Sequence, residues 1–169
     1  MKKILYTLLL VSLVFWLFSC RAQADPEAEQ GAGAPKFRHD GVLRVLDAAG
    51  NVKATFQIEI ATTEMELRQG LKFRDSMEDD QGMLFVFDGS EPRGFWMEDT
   101  YMPLDMLFID YSNTIFQIEE NTEPFSTELI DAEGFNLYTL EVKAGTCAKH
   151  NITVGDKIEW EKISSQASP

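Results

Sequence analysis

The run Val52-Lys53-Ala54-Thr55-Phe56-Gln57-Ile58-Glu59-Ile60, continued by Ala61-Thr62-Thr63-Glu64-Met65-Glu66-Leu67-Arg68-Gln69-Gly70, sets a strand directly before a helix. Phe56, Ile58 and Ile60 alternate with Gln57 and Glu59, the period-two pattern of a half-buried strand. Thr63 and Glu66 then stand three residues apart as a capping box: the hydroxyl accepts from the N3 amide and the carboxylate reaches back. The spacing predicts a short helix over 64–69, and Gly70 suits the left-handed position that ends one.

Outward from this unit the pattern stays short and strand-like. Residues 42–47 pair with 52–60 across Ala48-Ala49-Gly50-Asn51, a plausible hairpin turn. Apolar or alternating runs follow at 83–87, 94–97, 104–110, 114–119, 137–143 and 157–162, separated by turn residues. One helical turn fits 146–151, and Gly155-Asp156 fits a tight turn. The expected fold is mainly β (α+β). It is a single domain with a curled or barrel-like, mostly antiparallel sheet and one short helix after the second strand. Closing such a sheet removes exposed edges.

The whole chain has 169 residues, with 28 acidic against 15 basic residues and a net charge of −13. That suffices for one domain and a short appendage. The acidic balance repels phosphate backbones, so no nucleic-acid partner is expected. Two cysteines and two histidines leave little material for a disulfide scaffold or a histidine-rich metal site. No cofactor is expected, since the chain lacks a glycine-rich phosphate loop, G-x-S-x-G, C-x-x-C and H-E-x-x-H.

Residues 1–19 read as a signal peptide: Lys2-Lys3, then an apolar run shorter than a bilayer-spanning helix. Leu17-Phe18-Ser19-Cys20 resembles the bacterial lipobox, which makes Cys20 the lipidation site and the membrane a partner through its acyl chains. An ordinary signal peptide and an uncleaved anchor are the competing readings. Arg21 differs from the Asp-based inner-membrane retention signal of enteric bacteria, which leans toward the outer membrane. Residues 20–36 hold little that could bury surface and read as a flexible tether. The domain spans 37–163, and 164–169 form a small polar tail.

The densest chemistry lies in Arg68-Gln69-Gly70-Leu71-Lys72-Phe73-Arg74, Gly82-Met83-Leu84-Phe85-Val86-Phe87, Phe95-Trp96-Met97-Glu98-Asp99-Thr100 and Pro103-Leu104-Asp105-Met106-Leu107-Phe108-Ile109-Asp110. Glu141, Gly145, Gly155 and Asp156 close the series. In order and spacing these motifs closely resemble the DUF192 family, also called UPF0127, over about residues 53–160. The resemblance implies a small, largely β, barrel-like domain, and many relatives look exported. It brings no established activity. The chain departs from the family pattern at Glu98-Asp99, where many members carry Lys-Asn. It departs again over 120–135, where many relatives place two cysteines.

Phe95 and Met97 should share a buried face, leaving Trp96 pointing the other way, under a loop or into a groove. The candidate ligand site is Arg68, Arg74, Trp96, Thr100 and Asp105, the polar and aromatic positions of the family motifs. An internal Arg74–Asp105 pair is the structural alternative. Asp75, Glu78, Asp79 and Asp80 lack EF-hand spacing and read as a solvated acidic loop. Cys147 and His150 lack a third orienting group, so a structural cysteine is expected. The functional reading is a lipid-anchored binding or accessory module for a small polar ligand, such as a saccharide or envelope polymer, with no catalytic residue assigned. A carboxylate-based hydrolase in the same groove and a purely structural protein are the alternatives.

Overall fold

A computed structural model describes residues 35–163. The signal peptide, Cys20, nearly all of the tether and the 164–169 tail lie outside the described residues. The strands are β1 (Gly41–Leu46), β2 (Val52–Ala61), β3 (Gln81–Glu91), β4 (Gly94–Phe95), β5 (Leu104–Ile109), β6 (Ile115–Glu119), β7 (Ile130–Asp131), β8 (Asn136–Lys143) and β9 (Lys157–Lys162). Helix α1 (Glu64–Gln69) follows β2, and α2 (Thr146–His150) follows β8.

Seven strands form one sheet in the order β6-β5-β8-β3-β2-β1-β9, while β4 and β7 make a separate two-stranded ribbon. Neighbours in the large sheet are antiparallel except β2 and β3. That parallel pair requires a crossover, and the crossover carries α1. The two sheet edges meet at one end. Ile115 N–H donates to the Asp156 carbonyl (2.9 Å), and Gly155 N–H donates to the Ile115 carbonyl (2.8 Å). These bonds curl the sheet into a half-barrel. The mainly β fold with a short helix after the second strand is therefore the fold found. The sequence pattern missed only β7, whose two residues are too few to show a period.

Strand alternation sends side chains into two separate apolar layers. Leu84, Leu107, Leu140 and Val142 join Leu43, Phe56, Ile58 and Ile158 on one face. Met83, Phe85, Met106 and Phe108 join Leu71, Met97 and Leu104 on the other. The second layer lies beneath α1 and the loops that follow it. Among the described residues no helix is long and apolar enough to cross a membrane.

Candidate functional site

Helix α1 is built as its capping box requires. Thr63 Oγ1 accepts from Glu66 N–H, and Glu66 Oε2 accepts from Thr63 N–H at 3.0 Å. The bonds its carboxyl accepts from Thr63 N–H and Thr62 N–H pull Glu66 down to about 2. Gly70 ends the helix at φ 48°, ψ −136°. This is not the left-handed helical conformation anticipated, but a region that a side chain disfavours still more. A Cβ there would also lie 3.3 Å from the Phe85 ring. The chain can therefore turn close over β3 and bring Leu71 and Lys72 back across the second apolar layer.

That turn makes one wall of a cleft of about 470 Å³. Leu67 to Lys72 form this wall and Arg93 to Trp96 the opposite one. Phe85, Phe87, Thr100 and Glu141 complete the lining. The aromatic side is mutually packed edge to face: Phe95 stands 5.5 Å from Phe85 and 5.7 Å from Phe108 between ring centroids. Arg93 places its guanidinium 4.1 Å above the Phe87 ring and pairs with Glu91 at 2.7 Å. Met97 is buried, while Trp96 is 55% exposed at the cleft.

Lys72 reaches from the helix wall to the loop after Trp96. It pairs with Glu98 at 2.8 Å and lies 3.5 Å from Asp99. Glu98 and the neighbouring charges raise the Lys72 pKa above its usual value. The acidic pair that departs from the family pattern therefore serves here as the counter-charge of one cation.

Three of the five anticipated site residues line the cleft: Arg68, Trp96 and Thr100. Arg68 pairs with Glu64 one turn back along α1. Arg74 and Asp105 do not line it, nor do they pair with each other. Arg74 is buried and forms a two-pronged ion pair with Glu59, Nη2 to Oε2 at 2.8 Å. Asp105 points to the opposite face of the sheet, because Met106, its neighbour in β5, already occupies the layer beneath the cleft. There it accepts from Asn121 N–H (3.0 Å), Gly145 N–H (3.2 Å) and Cys147 N–H (2.9 Å), fastening α2 to β5. Its acceptor capacity goes to the backbone.

Glu141 is the cleft residue that the motif reading passed over. It lies in β8 between Met83 of β3 and Met106 of β5, each directly opposite it in the sheet. The residue is 5% exposed and lines the cleft, and among the described residues its carboxyl has no hydrogen-bond or ion-pair partner. Burial pushes it up to about 8, so it is largely protonated at neutral pH. Its place at the head of the closing E-x-x-x-G pattern was the available signal.

Other acidic candidates are engaged elsewhere. Asp79 bridges Lys143 at 2.8 Å and Lys149 at 2.9 Å. Asp110 accepts from Ser112 N–H and Thr114 N–H in a turn. Among the described residues no group of three or more His, Cys, Asp and Glu is placed to hold a metal ion. Cys147 is fully buried, and burial, reinforced by Asp105, raises its thiol pKa far above the usual value. His150 packs edge to face on Phe56 at 6.3 Å. Neither residue presents a nucleophile or a base to the cleft.

Comparison with known proteins places this architecture. The fold resembles a proposed transcription regulator from Sinorhizobium meliloti, at 36% identity and TM-score 0.70, covering 75% of this chain and 98% of that one. It also resembles a protein of unknown function from Novosphingobium aromaticivorans, at 33% identity and TM-score 0.67, covering 70% of this chain and 84% of that one. No curated protein matches. The family model for DUF192, an uncharacterized ACR, matches residues 44–160. That span includes the cleft walls, Trp96 and Glu141, and the chain belongs to the DUF192 family.

Proposed function

We propose that this protein is a binding module of the cell envelope, held to a membrane by lipid on Cys20, whose cleft takes a small polar ligand such as a saccharide unit. The observation that carries the reading is Trp96. Tyr111, Phe125 and Phe135 are exposed as well, but among these exposed rings Trp96 is the one that lines the preformed cleft, whose other rings are packed. A cleft of this size, mostly apolar with a few polar groups, has the proportions of a small-molecule site. An indole face supplies stacking area, and Thr100 and Glu141 supply hydrogen bonds.

Hydrolysis is the weaker reading. Glu141 has the raised pKa that a general acid needs. Glycoside hydrolysis, however, uses two carboxyl groups across the scissile bond, and among the described residues Glu141 is the sole Asp or Glu lining the cleft. The strongly acidic chain also disfavours nucleic-acid binding.

The test uses the full chain in detergent micelles on a glycan array, compared with Trp96→Ala. The expected result is selective retention of a subset of glycans by the parent protein. Truncating the stacking platform should weaken it by about tenfold or more, corresponding to ~1–2 kcal/mol, with an unchanged melting temperature. Equal retention by the variant would remove the cleft from consideration.

A further inference from the structure

We infer that Glu141 anchors an organic cation in this cleft, an amine carried on a ring, so that the ammonium meets the carboxylate while a face of the ring lies against Phe85, Phe95 and Trp96. This rests on the binding reading above and narrows its ligand class; a saccharide bearing a free amine is one member of the class.

The first support is the isolation of Glu141. A buried carboxyl is ordinarily paired or supplied with backbone donors. Asp105 and Glu59 on the same sheet obey that rule, with three amides and one guanidinium respectively. Glu141, buried to 5% exposure against 0% for Asp105 and 1% for Glu59, lines a cleft and has no such partner among the described residues. Its cross-strand neighbours, Met83 and Met106, are neutral. Beyond Met83 stands Glu59, already satisfied by Arg74.

The second support is the charge inventory of the lining. Its three cations, Arg68, Lys72 and Arg93, are each ion-paired, to Glu64, to Glu98 with Asp99, and to Glu91. An anionic ligand would have to displace those acids, whereas a cation meets an open carboxyl. The wall also suits positive charge, since ring faces attract cations and Arg93 already sits over Phe87. The net charge of −13 further enriches cations around the molecule.

Three probes of similar size separate the possibilities: benzylamine, benzyl alcohol and benzoate, titrated into the detergent-solubilised full chain by saturation-transfer NMR. Benzylamine should bind about tenfold or more tightly than the alcohol near pH 8, with benzoate weaker still. Its affinity should rise with pH, by up to about tenfold per unit, while Glu141 loses its proton on the way to about pH 8. Glu141→Gln should erase both the preference and the pH dependence. Glu141→Met, matched to the flanking methionines, provides a second variant if the amide disturbs folding. Equal binding of amine and alcohol, or an amine preference that survives in either variant, would overturn the cation assignment and leave the binding reading standing. Binding of none of the three would overturn the cation assignment, and the binding reading would then be decided by the glycan array alone.

Discussion

Glu59 and Glu141 face the same side of the sheet, one strand apart on either side of Met83, yet their surroundings differ. Glu59 meets Arg74, whereas Glu141 meets methionine and open cleft. Removing Arg74 leaves the buried Glu59 carboxylate with only the half-exposed Arg38 guanidinium, 3.8 Å away, so Arg74→Met should lower unfolding free energy by up to about 3–5 kcal/mol. Denaturant titration reads this directly, and the Trp96-dependent binding should persist in whatever fraction stays folded. Glu141 predicts a pH effect of definite sign. Its folded pKa of about 8 exceeds the ordinary glutamate value of 4.5. The native state therefore holds a proton that the unfolded chain has released between those values. The contribution is fully present below about pH 4.5 and is lost as pH rises through about 8. Unfolding free energy should fall across that window by up to about 1.4 kcal/mol per pH unit from this group, and Glu141→Gln should flatten that part of the curve. An unchanged slope in the variant would show that another group carries it.

Helix α1 is a six-residue element that exposes most of its surface. Isolated helices this short do not persist in water, so its caps and its packing through Leu67 hold it. Thr63→Ala removes the acceptor for Glu66 N–H and half of the capping box, and should cost about 1 kcal/mol. Because α1 and its C-terminal turn form a cleft wall, the same substitution should speed amide exchange in residues 66–72 before the rest of the domain responds. Uniform acceleration across the sheet would count against this local effect. The strand and helix periodicities that place α1 and β2 were legible because they are local properties of Val52–Ala61 and the capping residues. β4 and β7 each have two residues and exist because loops bring them together.

At the scale of the whole molecule, the domain presents the Trp96 cleft over the second apolar layer of a half-barrel, and the proposed anchor is Cys20. Cys147 is buried beside Asp105 with a strongly raised pKa, so it should resist alkylation until the protein unfolds. After denaturation, membrane-purified protein should titrate as a single thiol if the Cys20 sulfur carries lipid. Two thiols, or a mature N-terminus without acyl mass, would overturn the anchor.

The amino-acid order by itself determined the strand pattern, the capped helix, the acidic character and the family, because each depends on neighbours along the chain or on motifs read in series. Which polar side chains converge was decided only by the tertiary structure. Arg68 and Arg74 lie six positions apart in one motif, yet one lines the cleft and the other is buried against Glu59. Thr139, Leu140, Glu141 and Val142 alternate like a strand with one wet face. The sheet order makes β8 a central strand, and the second apolar layer covers its polar side. Alternation reports which residues share a face; what lies against that face depends on segments distant in the chain, and that burial leaves a carboxyl alone at the bottom of a cleft.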